Sequence, residues 1–230
     1  MNGAIALIPA RGGSRRIPRK NVRPFLGVPA IARVVETLQR SELFERIIVS
    51  TDDPEIAEVA TGAGAEVPGV RPAELSDDHT PTVAVVRHAI SAWLGEVDDS
   101  VPLWTVYPTA VLLTPELLAA AQGEFARSDA DFLIPVLRYP HPVERRFRMD
   151  GSGALVADDP SALGVRSQDL EPAFHDSGQF YIAHVRTWLE NTPLASGRNV
   201  AIELPPSSAI DIDEPAQWTL AEHIARSSGN

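Results

Sequence analysis

Apolar residues along the chain form short uninterrupted runs, and longer amphipathic segments separate these runs. The runs have the length of buried strands, which are predicted at 4–8, 46–50, 103–106, 132–136, 180–183 and 200–204. The amphipathic segments predict helices at 29–38, 54–61, 82–94, 115–125 and 214–226. This alternation predicts an α/β protein of Rossmann-like type, with an open, mostly parallel sheet and helices on both faces.

Some of these elements have recognisable boundaries in the sequence. Asp53 and Thr114 each precede a proline. In each pair, the first residue supplies the N-cap of a helix and the proline supplies its first helical position. Asp213 is expected to cap the last helix. A short strand is also predicted at 66–67, ahead of a polar loop at 69–81.

Residues 138–172 interrupt the alternation of strands and helices. This segment is rich in proline and arginine, has no sustained helical period and contains the turn sequence Asp150-Gly151-Ser152-Gly153. We predict a small hairpin-bearing excursion that acts as a lid or as an arm for oligomer formation. The length of the chain supports one sizeable core, so residues 1–230 are predicted to form a single domain that carries this excursion.

The composition excludes several classes of protein. A formal net charge of −11 argues against binding to nucleic acid or to an anionic membrane, because both interactions need a basic surface. Cysteine is absent, so disulfides and cysteine-ligated metal centres are impossible. No signal sequence is evident, and no apolar run approaches the roughly 20 residues that span a bilayer. We therefore expect a cytoplasmic protein.

A basic loop at residues 9–24 follows the first predicted strand. Six of the 20 basic residues lie between positions 11 and 23, and Lys20 is the only lysine of the chain. Gly12 and Gly13 would let backbone N–H groups approach an oxygen-rich ligand. The pattern indicates capture of a polyphosphate, although a solvated basic turn is the alternative. Neither the Walker pattern nor G-x-G-x-x-G occurs in this loop.

Two carboxylates lie one residue apart at Asp211 and Asp213. On an extended backbone, residues with this spacing point to the same side. Mg²⁺ is commonly held by one or two carboxylates together with phosphate oxygens, so the pair is a candidate metal site. The competing interpretation is that Asp213 is an ordinary helix cap.

Two further polar segments are candidates for substrate recognition. Residues 71–78 could cover a nucleotide base and ribose, although any surface connection has a similar composition. Residues 166–170 and 175–181 concentrate hydrogen-bonding groups ahead of a predicted strand. This density suits a polyhydroxylated acid, with Arg166 available for its carboxylate, and a polar connector is the alternative.

Residues 8–21, Ile-Pro-Ala-Arg-Gly-Gly-Ser-Arg-Arg-Ile-Pro-Arg-Lys-Asn, resemble the N-terminal signature of cytidylyltransferases that activate acidic nine-carbon and eight-carbon sugars. Residues 48–53 and 71–78 resemble the next blocks of this family, the CMP-sialic acid synthetase family, in the same order. The late blocks at 166–170 and 175–181 are similar to the branch that acts on pseudaminic acid. The sialic acid branch typically has Asn-Gly-Ala where this chain has Ser177-Gly178-Gln179.

The resemblance implies a nucleotide-diphospho-sugar transferase fold, a homodimer and transfer of CMP from CTP to the anomeric hydroxyl of pseudaminic acid. It implies nucleotide binding by Ala10, Arg11, Gly12, Gly13, Ser14, Arg15, Lys20, Asn21 and Arg71. It implies binding of Mg²⁺ by Asp211 and Asp213, and catalytic roles for Arg11, Lys20 and Asp211. Sugar contacts are implied for Tyr107, Thr109, Arg166, Gln168, His175, Gln179 and Tyr181.

The chain departs from the sialic acid branch at one loop. Tyr107 stands where that branch has glutamine, and Ala110-Val111 replace Ser-Pro. Alternatives of the same chemistry use N-acetylneuraminic, legionaminic or 3-deoxy-octulosonic acid. An alternative of a different class is a non-catalytic nucleotide-binding regulatory protein. The second carboxylate of the 211–213 pair counts against it, because nucleotide binding alone does not need one.

Overall fold

The computed structural model describes residues 3–195 and 197–228. The strands are β1 Ala4–Pro9, β2 Pro24–Phe25, β3 Val28–Pro29, β4 Phe44–Ser50, β5 Pro102–Val106, β6 Phe132–Arg138, β7 Phe147–Met149, β8 Leu155–Ala157, β9 Phe174–Asp176, β10 Phe180–His184 and β11 Asn199–Glu203. The α-helices are α1 Ala30–Arg40, α2 Pro54–Gly62, α3 Thr82–Trp93, α4 Pro115–Ala126, α5 Val185–Leu189 and α6 Pro215–Ser227. These bounds confirm the predicted alternation of strands and helices.

The central sheet of the described residues has seven strands. Six of them follow the order β11-β6-β10-β5-β1-β4, and β9 pairs with β6 beside this path. Strands β4, β1, β5, β6 and β11 point in one direction, whereas β10 and β9 run antiparallel to their neighbours. The prediction of an open, mostly parallel sheet is therefore confirmed.

Helices cover both faces of this sheet, as predicted. Strand β1 alternates, with Ala6 and Ile8 buried on one face and Ile5 and Leu7 buried on the other. The first face packs against α1, α2, α4 and α6, and the second packs against α3 and α5. Because β1 is buried on both faces, its carboxyl end is a rigid base for the basic loop that follows it.

The start of α6 corrects the prediction for Asp213. The N-cap is Glu214, and the Gln217 side chain accepts hydrogen bonds from the backbone N–H groups of Glu214 at 2.7 Å and Asp213 at 2.8 Å. This capping box satisfies the helix start without the Asp213 carboxylate. The Asp213 side chain is therefore free to face the basic loop. The caps predicted at Asp53 and Thr114 are confirmed.

Other differences are local. Glu66 forms only an isolated bridge with Ile48, so the predicted strand at 66–67 is wrong. Within 138–172, β7 and β8 form the predicted antiparallel hairpin, in which Met149 pairs with Leu155. Its role as a lid or arm, and the single domain over 1–230, stay predictions. None of the helices in the described ranges combines the length and apolar character that crossing a bilayer requires.

Candidate functional site

A cavity of about 460 Å³ lies at the carboxyl ends of β1 and β5. The basic loop after β1 forms one wall, the loop at 71–80 forms another, and the residues after β5 form a third. The cavity is lined by Pro9, Arg11, Ser14, Arg15, Arg16, Ile17, Lys20, Asn21, Arg71, Leu75, Asp77, Asp78, Thr80, Thr82, Val85, Tyr107, Pro108, Thr109 and Asp213. Ligands of open α/β sheets bind at this edge of the strands.

The basic loop is anchored at both ends. Gly12 donates its backbone N–H to the Asp52 carboxylate at 3.0 Å, and a Cβ at position 12 would lie 2.5 Å from an Asp53 carboxylate oxygen. Only glycine therefore allows the loop to approach the turn after β4 this closely. At the other end, the buried Asn21 side chain donates to the Arg11 carbonyl at 2.9 Å.

The cations of this loop face carboxylates that come from elsewhere in the chain. The Asp78 carboxylate forms ion pairs with both Arg11 and Arg15. Lys20 donates from Nζ to the Ile212 carbonyl at 2.7 Å and lies 3.4 Å from the Asp213 carboxylate. These carboxylates offset part of the positive charge of the loop, and phosphate oxygens could replace them as partners of its cations.

Arg71 lies buried at the wall of the cavity, with 4% of the residue exposed. Its Nη2 is 3.5 Å from the Asp52 carboxylate, and its buried Nε has no hydrogen-bond partner among the described residues. Burial lowers the pKa of its guanidinium from the ordinary value. A buried N–H group without a partner is costly, so Arg71 is prepared to bind an anionic or hydroxyl oxygen of a ligand.

Asp211 precedes Asp213 by two residues, but only Asp213 of this pair is among the residues that line the cavity. Partial burial raises the pKa of the Asp211 carboxyl, and the negative charge of Asp213 raises it further. Gly178 packs against this carboxylate with a φ of +65°, and a Cβ there would lie 3.2 Å from the Asp211 carboxylate carbon. Within the described ranges, no three His, Cys, Asp or Glu side chains form a group that could hold a metal.

Tyr107 and Thr82 join this cavity to a second cavity of about 370 Å³, which Tyr181 also lines. Tyr107 lines both cavities, and its hydroxyl lies 3.0 Å from the Thr82 hydroxyl. The Tyr181 ring packs edge-to-face on Tyr107 with 6.0 Å between centroids, and its hydroxyl donates to the Asp176 carboxylate. Burial is the main cause that raises the pKa of both phenols. Both hydroxyls therefore stay protonated at neutral pH.

The cytidylyltransferase family profile matches residues 5–186, which include the basic loop, Arg71, both tyrosines and most of the sheet. The chain belongs to the cytidylyltransferase family. Membership means that it is an enzyme that transfers a cytidylyl group from CTP. The cavity beside the basic loop is the candidate nucleotide site. The match ends before Asp211 and Asp213, so the metal pair does not contribute to it.

Two relatives resemble this cytidylyltransferase over most of its length. Pseudaminic acid cytidylyltransferase of Campylobacter jejuni subsp. jejuni serotype O:2 is 36% identical over 209 residues, which is 91% of this chain and 90% of that protein. CMP-N,N'-diacetyllegionaminic acid synthase of Legionella pneumophila subsp. pneumophila is 32% identical over 229 residues, 96% of this chain and 95% of that protein. Both are named for activation of an acidic sugar.

A solved structure supports the fold. The structure of CMP:2-keto-3-deoxy-manno-octonic acid synthetase complexed with CTP has a TM-score of 0.70. It covers 99% of this chain and 100% of its own, at 15% sequence identity. At this identity the similarity concerns the fold alone, and it confirms the nucleotidyltransferase architecture that the resemblance implies.

The structure brings together most of the nucleotide residues predicted for this cytidylyltransferase. Those that line the larger cavity are Arg11, Ser14, Arg15, Lys20, Asn21 and Arg71, and they share it with Tyr107 and Thr109 of the predicted sugar set and Asp213 of the predicted metal pair. Ala10 is buried beneath the loop, and Gly12 contributes backbone contacts. Gly13 lies at the turn between Gly12 and Ser14, and a Cβ there would meet only Arg11, at 3.9 Å. Its contribution to nucleotide binding stays a prediction.

The predicted sugar residues are more dispersed. Arg166 and Gln168 are exposed on the excursion, where Arg166 pairs with Asp169 at 2.8 Å. His175 packs its ring on Tyr139, at 4.8 Å between centroids. Gln179 is buried and donates to the Ser177 carbonyl at 2.8 Å and the Ile210 carbonyl at 3.2 Å. Of this set, Tyr107 lines both cavities, Thr109 lines the larger one and Tyr181 lines the second.

The sequence did not identify three polar residues of the site individually. Asp78 binds two loop arginines, Asp176 binds Tyr181, and Thr82 joins the two cavities. Asp78 lies within the polar segment proposed to cover the nucleotide, but its charge opposite the basic loop was the feature that could have singled it out. Asp176 had a comparable indication in its position between two residues predicted to contact the sugar.

Proposed function

We propose that this enzyme transfers CMP from CTP to the anomeric hydroxyl of pseudaminic acid, giving CMP-pseudaminic acid and pyrophosphate. The observation that carries the proposal is the cavity in which the basic loop with Lys20 faces Asp213. The identity of 36% over 91% of the chain to a protein named pseudaminic acid cytidylyltransferase supports this choice of sugar.

The proposed reaction needs charge stabilisation more than covalent chemistry. The anomeric oxygen attacks the α-phosphorus, and the bond from that phosphorus to the oxygen of the β-phosphate breaks, so that pyrophosphate leaves. Arg11 and Lys20 stabilise the charge that develops on the phosphates. Asp211 accepts the proton of the attacking hydroxyl as a general base.

Asp211 and Asp213 are the residues that would hold Mg²⁺. Their mutual repulsion, which raises the pKa of Asp211, is what a bound divalent cation would relieve. Two carboxylates do not complete a coordination sphere, but Mg²⁺ typically takes its remaining ligands from substrate phosphates and water. When bound, the ion would neutralise charge on the triphosphate.

The test is a measurement of pyrophosphate release with CTP and Mg²⁺ against pseudaminic, sialic, legionaminic and octulosonic acids. ATP, GTP and UTP replace CTP in parallel reactions. We expect release only with CTP and fastest release with pseudaminic acid. Faster release with another acid would reassign the sugar and keep the chemistry, whereas no release with any acid would contradict the proposed function. Asp211→Asn should abolish most of the turnover at saturating Mg²⁺ if Asp211 is the base.

We also propose that the enzyme works as a homodimer in the cytoplasm. Many of the large apolar side chains exposed in the described residues belong to the excursion and β9: Tyr139, Phe147, Met149, Leu155, Val156, Leu163, Val165 and Phe174. A patch of this kind on a soluble protein commonly marks an interface. The net charge of −11 supports the expectation that neither nucleic acid nor a membrane is a partner.

A further inference from the structure

Asp176 ends strand β9 and holds two groups with its two carboxylate oxygens. Oδ1 accepts the backbone N–H of Gly178 at 2.8 Å, which closes the turn that packs against Asp211. The other oxygen, Oδ2, accepts the hydroxyl proton of Tyr181. Asp176 therefore connects the turn behind the proposed metal pair to a tyrosine that lines the second cavity.

The hydrogen bond from Tyr181 to Asp176 determines whether the Tyr181 hydroxyl can donate to a ligand or accept from it. A phenol has one proton, and in Tyr181 this proton is given to a carboxylate that has none to return. The remaining lone pair of the oxygen can only accept. A ligand group that hydrogen-bonds to Tyr181 must therefore be a donor, such as a hydroxyl or an amide N–H.

The surroundings of Tyr181 increase this selectivity. The surface of the second cavity is mainly apolar, with Phe132, Trp188 and Leu194 among its lining residues, and its other polar side chains are Thr82, Tyr107, Asn191 and Thr192. The negative charge of Asp176 would also repel a carboxylate. An acidic sugar that enters this cavity would therefore orient its carboxylate away from Tyr181.

We infer that Asp176 is a positioning residue that sets Tyr181 as a hydrogen-bond acceptor, and that this pair selects a sugar acid with a hydroxyl or amide N–H at this place. The inference rests on the proposed function, because it concerns the sugar that the enzyme would activate. Asp176 acts through Tyr181 and does not itself contact the reacting atoms.

Asp176→Asn reverses the polarity of Tyr181. The Asn amide oxygen can still accept from Gly178, but an NH₂ group then faces the tyrosine hydroxyl, which must accept and can turn its own proton into the cavity. We expect the KM for the preferred acid to rise about tenfold, with the KM for CTP unchanged, because the donor of the ligand then faces the tyrosine proton and loses its hydrogen bond to Tyr181. The ratio of kcat/KM between the preferred acid and a second acid should fall by a similar factor.

The control variant is Asp158→Asn, because Asp158 also bridges two side chains, Arg146 and Arg148, but lies on the excursion hairpin. It should leave the ratio between acids unchanged. This ratio does not depend on the fraction of folded enzyme, so partial unfolding of a variant cannot imitate the effect. Tyr181→Phe provides a second variant and should reduce the ratio as Asp176→Asn does.

The double variant Asp176→Asn with Tyr181→Phe should be no less selective than either single variant, because both remove one interaction. Multiplied effects, or an unchanged ratio in both single variants of an active enzyme, would overturn the inference. Failure of the proposed function has a different result, since the unaltered enzyme would then release no pyrophosphate with any acid of the panel.

Discussion

Asp78 pairs with two arginines that are predicted to bind the nucleotide. It reaches the cavity from the loop at 71–80 and pairs with Arg11 and Arg15 at the same time. Arg11 contacts help to lower the pKa of the Asp78 carboxyl, so it stays ionised at neutral pH. An anionic ligand must therefore displace a carboxylate of the protein before it can bind these arginines.

Asp78→Asn is accordingly predicted to bind CTP more tightly than the unaltered enzyme, because the nucleotide no longer has to displace the Asp78 carboxylate. The expected gain is only about threefold to tenfold, because exposed ion pairs contribute little free energy. Titration calorimetry with CTP at several salt concentrations would measure this change. Asp158→Asn, which removes a carboxylate between two arginines at the excursion hairpin, should bind CTP normally. Weaker binding by Asp78→Asn would mean that Asp78 contacts the nucleotide directly.

The Lys20 ammonium group lies close to the Ile212 carbonyl and to the Asp213 carboxylate. Its ammonium group donates to the Ile212 carbonyl at 2.7 Å, and its side chain is largely buried. Lys20→Ala should lower kcat/KM for CTP by roughly 10- to 100-fold, which is the range of a lost charge-assisted hydrogen bond. Lys20→Arg should retain only part of the kcat/KM for CTP, because the planar guanidinium does not fit a site that holds a compact ammonium group.

The kinetic effect of Lys20→Ala can be separated from a loss of folding by thermal unfolding measured beside it. Arg127→Ala at the end of α4 is a suitable control, because Arg127 caps that helix, is exposed and pairs with Glu124 three residues before it. It should change neither CTP kinetics nor stability appreciably. Equal kinetics for Lys20→Ala and Arg127→Ala would contradict the role proposed for Lys20.

At the scale of elements, the start of α2 stabilises the basic loop as well as the helix. Asp53 caps this helix by accepting from the backbone N–H groups of Glu55 at 3.0 Å and Ile56 at 3.1 Å. The same carboxylate binds Arg19 of the basic loop. The hydrogen bond from Arg19 is the main cause that lowers the pKa of Asp53 from its ordinary value.

Asp53→Ala should therefore reduce the free energy of unfolding by about 1–2 kcal/mol at neutral pH. Because the folded-state pKa is lowered, this stabilisation is present above the unfolded pKa of about 4 and is lost as the pH falls through the lower folded value. Urea unfolding at neutral pH and in acid would show the difference between the two proteins shrink in acid. Asp53→Asn keeps a capping oxygen, so its free energy of unfolding should fall less than that of Asp53→Ala.

The sequence pattern identified the elements well where local rules decide them. The apolar run at 4–8 corresponds to β1, and the amphipathic segment at 82–94 corresponds to α3. A strand buried on both faces gives a continuous apolar run, and a helix buried on one face gives apolar residues at a helical period. The short helix α5 and the antiparallel position of β10 have no such signature. Both depend on which strands pair, which is decided by the whole sheet.

The candidate site was likewise predictable where its residues lie close together in sequence, and not where they come from distant segments. The glycines and arginines of the basic loop lie together in sequence, so their chemistry was visible. Their partner Asp78 lies 67 residues beyond Arg11, and no local pattern joins the two. The cap assigned to Asp213 was avoidable, because a proline at the first helical position places the cap at the residue before it, which is Glu214.

At the scale of the whole molecule, the hairpin of β7 and β8 is the feature that most resembles an interface. Met149 and Leu155 are cross-strand partners, and both are exposed. Changing both to Glu should convert the proposed dimer to a monomer, because charged side chains would have to be buried in the contact. Light scattering of the purified proteins would measure the mass directly.

Leu220→Glu is the matched control for this experiment, because Leu220 is an exposed apolar residue on α6 and outside the hairpin. It should leave the mass unchanged. A monomeric mass for the unaltered protein would contradict the dimer, and a dimer that survives the double substitution would place the interface elsewhere.

The single lysine of the chain gives the enzyme an internal chemical reporter. Reagents that acylate side-chain amines have one target, Lys20, and this residue lines the candidate nucleotide cavity. Mass spectrometry of the labelled peptide should show that CTP protects Lys20 from modification in proportion to occupancy. Nucleotide binding could then be followed on the unaltered protein, with neither a fluorescent analogue nor an engineered label.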